Sequence, residues 1–328
     1  MTTLLELAGG FVLLLFGAEY LVRGAVSLAH RLRVSPMVIG LTIVAYGTTA
    51  PELVVSLQAA LSGQPGIAVG NVVGSNIANI LLILGTSAAV FPIACHPRRL
   101  FRDGAVMLGS AFLFVALALS GTISQVQGML MVAALLSYSV YAYWAERRRN
   151  TASDVLAQEV AEFEEGPKSL WLAAVAVLGG IASVVIGARL LVSGAVAAAR
   201  ALGVGEEVIG LTLVAVGTSL PELATAVVAA WRRHSEVAIG NVIGANIYNL
   251  LAIMGLVSAV TPLEVPPQIL RFDLWLMLGV TLALLGTIAV RRGLDRRVAA
   301  AFLGAYAAYV AAQYYGVETL LGGLGGHP

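Results

Sequence analysis

The residues best placed to do chemistry in this 328-residue chain are two glutamates, Glu52 and Glu222. Each follows a proline, in GTTAPE at 47–52 and GTSLPE at 217–222, and each lies within a long apolar stretch. A charge deep in hydrocarbon costs roughly 2.5–3.5 kcal/mol on insertion scales, so two such carboxylates point to a binding site. Pro51 and Pro221 have no N–H, and their rings collide with the carbonyls of Gly47 and Gly217. The preceding residues, Ala50 and Leu220, are pushed out of helical angles. Both helices are therefore predicted to break, freeing carbonyls from about Ala45 to Thr49 and from about Ala215 to Ser219. Bare carbonyls in a bilayer are tolerated where a cation or a water-filled cavity satisfies them. Thr48, Thr49, Thr218 and Ser219 add hydroxyls at the breaks. A hydroxyl in a span can equally bond back to its own backbone.

A second pair of motifs follows, GNVVGSNIAN at 70–79 and GNVIGANIYN at 240–249. Asn71, Ser75 and Asn79 are spaced four apart and share a helix face, as do Asn241, Ala245 and Asn249. Asn76 and Asn246 lie on an adjacent face, and Gly70, Gly74, Gly240 and Gly244 permit close helix contact. Asn71 and Asn241 are the asparagines best read as interhelical glue. Together the motifs offer carboxylates, hydroxyls, amide oxygens and carbonyls. An all-oxygen set suits hard cations; Ca²⁺ takes about six to eight oxygens at roughly 2.3–2.6 Å, whereas softer metals prefer nitrogen and sulfur. His30, His96, His234 and His327 fall in loops or the tail and are read as surface residues.

These residues must be positioned inside a membrane. The chain is 59% hydrophobic and 11% charged, with mean hydropathy +0.90, against about 25% charged residues in a soluble domain. So few charges cannot cover a water-facing surface. That excludes a soluble enzyme, a secreted disulfide scaffold, a disordered regulator and a nucleic-acid binder. The 19 basic and 18 acidic residues nearly cancel, and the lone Cys95 cannot form an internal disulfide. The expected class is an all-α membrane protein, and no obligatory protein partner or cofactor is implied. Ten apolar segments reach spanning length, near 4–29, 36–61, 66–93, 103–120, 125–145, 169–199, 207–231, 236–262, 273–290 and 298–315. A charged linker interrupts them at 146–168.

The chain repeats itself at an offset of 170 residues. Residues 40–93 and 210–263 align without a gap, with 26 identities in 54 positions. The matches include polar residues, which shared apolar composition does not explain. LVRGAV at 21–26 meets LVSGAV at 191–196, and Asp103 meets Asp273. The expected organisation is a five-helix repeat at 1–145, a linker at 146–168 and a second five-helix repeat at 169–328. An odd number of spans inverts the second repeat, a ground plan common among secondary transporters. Charge provides an independent check. Alternating the loops puts 15 of the 19 basic residues on one side. The positive-inside rule then makes that side, with the 146–168 loop, cytoplasmic and both termini external.

At the paired motifs the sequence resembles the cation/Ca²⁺ exchanger superfamily, and most closely its prokaryotic sodium/calcium exchangers. GTTAPE and GTSLPE, with GNVVGSNIAN and GNVIGANIYN, match that family's two α-repeats and cover about a third of the chain. The resemblance implies an antiporter of the cell inner membrane that exchanges Ca²⁺ for Na⁺ by alternating access. It implies that Glu52 and Glu222 are shared ligands of both ions. It assigns further cation contacts to Thr48, Thr49, Thr218, Ser219, Ser75 and Asn79, and to carbonyls near Ala45 and Ala215. Two positions depart from the pattern. The family often has Ser and Asp where this chain has Ala245 and Asn249, which removes a hydroxyl and a possible third carboxylate while keeping Asn249 as an amide ligand. That opens a choice between Na⁺ and H⁺ as the driving ion. A H⁺/Ca²⁺ antiporter is thus the nearest alternative, ahead of a cation channel or an intramembrane enzyme. Glu19 and Arg189 occupy equivalent repeat positions, and an ion pair between them is a further expectation.

Overall fold

The computed structural model describes residues 2–32, 34, 36–95, 97–149, 167, 169–201 and 215–315. In order these form α1 (Thr2–Leu32), α2 (Gly40–Thr48), α3 (Ala50–Leu61), α4 (Pro65–Val90), α5 (Pro97–Ala118), α6 (Gln125–Arg149), α7 (Leu170–Ala201), α8 (Ala215–Thr218), α9 (Leu220–Trp231), α10 (Ser235–Val260), α11 (Ile269–Arg291) and α12 (Arg296–Tyr315). A helix satisfies its own backbone groups, which a bilayer cannot do for it. Among the described residues, seven helices are long and apolar enough to cross a membrane: α1, α4, α5, α6, α7, α10 and α11. The bent pair α2 and α3 makes up to an eighth. α9 is a shorter apolar helix, and part of the segment expected before it lies outside the described residues. The linker at 146–168 also lies almost wholly outside them.

Apolar side chains lie both inside and outside. Phe114, Ile77 and Ile243 are buried, while Phe11, Phe16, Trp171 and Leu178 are exposed on the helices' outer faces. Helices apolar all round fit a lipid surround. α4 and α10 are the most deeply buried long helices, and they carry the two asparagine motifs through the centre.

α1 and α7 cross antiparallel at very close range. A Cβ on Gly10, Gly17 or Gly24 would come within 3 Å of α7 near Leu191, Ser183 and Val177. The α7 glycines Gly180, Gly187 and Gly194 approach Leu21, Leu14 and Leu7 in the same way. Each glycine triplet is spaced by seven, and the 170-residue offset carries one triplet onto the other. Small residues let backbones approach where no water drives association.

Two short ladders join the helix connections. β1 (Ile93–Ala94) pairs antiparallel with β4 (Gly293–Leu294), and β2 (Thr122–Ile123) with β3 (Leu263–Glu264). An all-α reading misses them, because extended connectors satisfy their backbone groups by pairing with a connector far away in sequence. Contacts gather the connections into two sets. In one, Gly66 packs on Pro266 and Val265 N–H bonds to Gly121. In the other, Cys95 N–H bonds to Arg292, Arg233 stacks over Phe91, and Arg31 donates to the Pro167 carbonyl.

The expected Glu19–Arg189 pair is not formed. Glu19 is held instead by Arg23, one helical turn on, and by Arg232 at the end of α9. Arg189 is exposed. An i,i+4 partner on the same helix face is always within reach, whereas a repeat counterpart meets its equivalent only on the symmetry axis.

Candidate functional site

Both spans break at the prolines, but one residue earlier than expected: Ala50 and Leu220 are helical, because a proline is accommodated in the first turn of a new helix. Thr49 (φ −81°, ψ 2°) and Ser219 (φ −90°, ψ 5°) leave helical geometry just before α3 and α9, and α2 meets α3 at a bend of 48°. The break is narrower than the prolines alone suggest. The Ala45 carbonyl accepts the Thr49 N–H at 3.0 Å and the Thr49 and Thr48 hydroxyls at 2.9 and 3.3 Å. The Thr49 carbonyl still accepts Leu53 N–H at 3.3 Å. The hydroxyls thus bond back to the backbone in this structure, as short polar side chains in helices readily do. Ala215 opens α8, with Thr218 at its end, half-buried.

Glu52 and Glu222 begin α3 and α9, and each is only 1% exposed. The two carboxylates are close enough to feel each other's charge. Ser219, from the second half, lies with its hydroxyl 3.5 Å from Glu52 Oε1, in the first. Thr48, from the first half, neighbours Glu222. Each half therefore places a hydroxyl against the other half's carboxylate.

The asparagines divide by role. Asn71 Nδ2 donates to Ser56 Oγ at 3.0 Å, tying α4 to α3, and the Thr48 hydroxyl lies 3.4 Å from Asn241 Oδ1, tying α2 to α10. Asn79 Nδ2 donates to Asn246 Oδ1 at 2.9 Å across the centre, and Asn246 donates on to the Asn76 carbonyl. With its nitrogen engaged, Asn79 presents Oδ1 unpartnered; Asn249 Oδ1 is likewise buried without a partner. A π-helical stretch begins at Asn79 and another runs over Tyr248–Ile253. The first packs on α9 and the second on α3. Such π turns are rare and recur at functional sites. The sequence motifs give no sign of them, because a π turn is set by what the widened helix packs against.

Together these elements bury five acceptor oxygens without a hydrogen-bond donor: Glu52 Oε2, both Glu222 oxygens, Asn79 Oδ1 and Asn249 Oδ1. Buried polar atoms are nearly always paired, so such a cluster calls for a bound ion or water; one unpaired donor, Asn241 Nδ2, accompanies the five oxygens. No group of three or more His, Cys, Asp or Glu forms among the described residues, so only two formal charges meet the neutral oxygens. Ser75 is buried on the α4 face facing a cavity.

That cavity, of about 440 Å³, starts at Ser219, Ser75 and Asn71 and reaches Pro266 and Gln268 in the α10–α11 connection and Gln313 near the end of α12. Asp273 and Tyr309 also line it. Sequence reasoning did not select these residues, although the match of Asp103 with Asp273 was the available signal. Elsewhere around the site the packing is tight: a Cβ on Gly244 would collide with the Leu41 carbonyl and Ala45, and one on Gly40 with the Val237 carbonyl.

The chain is similar to known proteins in sequence and in fold. The family described as sodium/calcium exchanger protein matches residues 2–144 and 172–315, two stretches that begin 170 residues apart. The sodium/calcium exchanger MaX1 of Methanosarcina acetivorans is 34% identical, over 93% of this chain and 97% of its own length. Inner membrane protein YrbG of Escherichia coli is 36% identical, over 83% and 84%. Among solved structures, the sodium-calcium exchanger NCX_Mj soaked with zero Na⁺ and Ca²⁺ superposes with a TM-score of 0.82 at 30% identity, over 95% of this chain and 99% of that one.

Proposed function

Because this chain belongs to the sodium/calcium exchanger family and is a multi-pass membrane protein, we propose that it exchanges Ca²⁺ for Na⁺ by alternating access at one site between Glu52 and Glu222. The observation that carries this reading is the set of five buried, donorless oxygens around two carboxylates. Their ligands would be Glu52, Glu222, Thr48, Thr49, Thr218, Ser219, Ser75, Asn79 and Asn249, with backbone oxygen from the breaks near Ala45 and Ala215. The hydroxyls now bonded to the Ala45 carbonyl can rotate toward an ion. No resident cofactor is needed, since Ca²⁺ and Na⁺ are cargo.

Charge explains the coupling. Two ionised glutamates carry −2, which one Ca²⁺ neutralises, or two Na⁺. The ions exclude one another through shared charge and shared oxygens. A neutralised centre can move past apolar walls, while a bare dianion in low dielectric cannot. Flux in one direction therefore requires a cation in the other.

Alternating access is supported by the repeat. Equivalent helices α1 and α7 run antiparallel, and the offset that relates the halves carries the β1–β4 ladder approximately onto β3–β2. Both fit two inverted five-span repeats, at 1–145 and 169–328. On this reading the cavity leads to the face bearing the α10–α11 connection. The arginine-rich connections make the opposite face cytoplasmic, with the 146–168 linker, and leave both termini outside a plasma membrane.

The test is Ca²⁺ uptake by proteoliposomes loaded with Na⁺, compared with choline-loaded vesicles at equal pH and with a pH gradient alone. Uptake that requires internal Na⁺ and is competed by external Na⁺ is expected. Uptake driven only by the pH gradient would replace Na⁺ with H⁺ as the counter-ion. Flux of either ion without the other would remove the coupling.

A further inference from the structure

Asp273 sits in α11 at the wall of the cavity that leads to the site, 4% exposed. Its neighbours hold it in place. Gln268 Nε2 donates to Gln313 Oε1 at 2.6 Å, leaving Gln313 Nε2 to donate to Asp273 Oδ1. Tyr309 donates its hydroxyl to the same oxygen at 3.1 Å. Both donors can serve an ionised carboxylate, and neither requires a proton on the oxygen they share. Both donors are neutral, and among the described residues no cation pairs with Asp273. Ionised, Asp273 places an unpaired negative charge on the wall of a cavity that Ser75 and Ser219 also line.

The repeat counterpart shows the contrast. Asp103 keeps the tyrosine, with Tyr138 donating at 3.0 Å, but the adjacent Arg102 clasps both its oxygens at 2.7 and 3.2 Å. A bidentate guanidinium neutralises a carboxylate where it stands. The residue preceding Asp273 is Phe272, so the arginine exists in one half alone. A carboxylate–tyrosine pair common to both halves would suffice to join helices; the difference lies in the charge.

We propose that Asp273 is a cation-capture residue of the passage that opens beside the α10–α11 connection, a role that Arg102 denies to Asp103. The proposal rests on the exchange reading above. A single-sign charge on the low-dielectric wall of a cleft focuses the field and raises the local counter-ion concentration, accelerating association about tenfold or more. Asp273 works before the ion reaches Glu52 and Glu222, and it does not move with the cargo. It gives the two faces of the exchanger unequal capture rates, although their ligand sets are related by the repeat.

The experiment measures initial rates of Na⁺-driven Ca²⁺ uptake in sealed vesicles of one orientation, at the face bearing the α10–α11 connection. Ionic strength is set with choline chloride at about 0.02 M and about 0.5 M, since screening shortens from tens of ångströms to a few over that range. For Asp273→Asn, KM for Ca²⁺ is expected to rise about threefold or more at low ionic strength and less than twofold at high, with maximal rate little changed. Asp273→Glu keeps the charge and should keep the wild-type KM. An unchanged KM, an equal shift at both ionic strengths, or maximal rates that fall alike in both variants would overturn the proposal. Wild-type vesicles without Na⁺-driven uptake would overturn the exchange reading and this inference together; active wild type with an indifferent Asn variant overturns only this one.

Discussion

Replacing Glu52 by Gln should make the ion-free protein more stable while abolishing its response to Ca²⁺. Glu52 is 1% exposed, has one oxygen without a donor, and feels the charge of Glu222. In the absence of cations two ionised carboxylates buried together repel, and relieving that repulsion requires taking up a proton. Glutamine has the same shape, removes one charge and so relieves the repulsion. The apo variant is expected to melt a few degrees higher, equivalent to about 1–3 kcal/mol, the cost of one buried unsatisfied polar group. Binding changes in the opposite direction. At about 4 Å and an effective dielectric of about 20, a unit charge attracts another by about 4 kcal/mol, and a divalent ion by about twice that. Desolvation offsets part of each figure, but the ratio persists: Ca²⁺ loses about double what a single Na⁺ loses. Wild-type protein at a Ca²⁺ concentration about 100 times Kd gains about 2.7 kcal/mol of stability, and the variant should gain none. The assay is thermal unfolding in detergent with EGTA, with Ca²⁺ and with Na⁺, alongside ⁴⁵Ca²⁺ binding. A Gln variant that melts lower without ions, or that keeps Ca²⁺ affinity within about tenfold, would refute the reasoning, because Glu52 would then be a structural partner.

Other outcomes follow from packing and pH. Gly17→Ala puts a Cβ 2.8 Å from Ser183 and 2.9 Å from the Val184 backbone nitrogen. Backbone cannot yield, so α1 and α7 must separate, at about 1–3 kcal/mol, read as a lower melting temperature. Gly9→Ala in the same helix meets nothing within 4 Å among the described residues and should stabilise by up to about 1 kcal/mol. His234, expected at the surface, is half-buried; burial, then the nearby Arg232, holds its imidazole down at about 4, against 6.5 for the free side chain. The folded state thus resists a proton that the unfolded chain accepts. Stability is full above about pH 6.5 and falls as pH drops toward 4, leaving the protein about 2 kcal/mol less stable at pH 5 than at pH 7.5. His234→Gln should flatten that part of the pH–melting curve; an unchanged slope would assign the loss to other groups.

Much of this protein is determined by local chemistry and is legible residue by residue. Low charge and long apolar runs demand a bilayer. The 170-residue repeat, with Pro51 and Pro221 at equivalent places, locates both helix breaks and both carboxylates. A proline breaks a helix whatever surrounds it, and a glutamate in hydrocarbon needs a partner or a proton in any fold. The remaining features depend on which surfaces meet. Only the packed structure turns Asn79 so that its nitrogen is spent on Asn246 and its oxygen is left over. Only packing gives Ser219 to Glu52 across the two halves, hands Glu19 to Arg23 and Arg232, and winds π turns at the centre. The same holds for the difference between Asp103 and Asp273. The repeat makes them equivalent in sequence, but Asp273 lines the cavity, and its charge acquires meaning from that space. Hydrogen bonds and field lines run through space between elements far apart in the chain, so pattern and spacing constrain them only after the helices have come together.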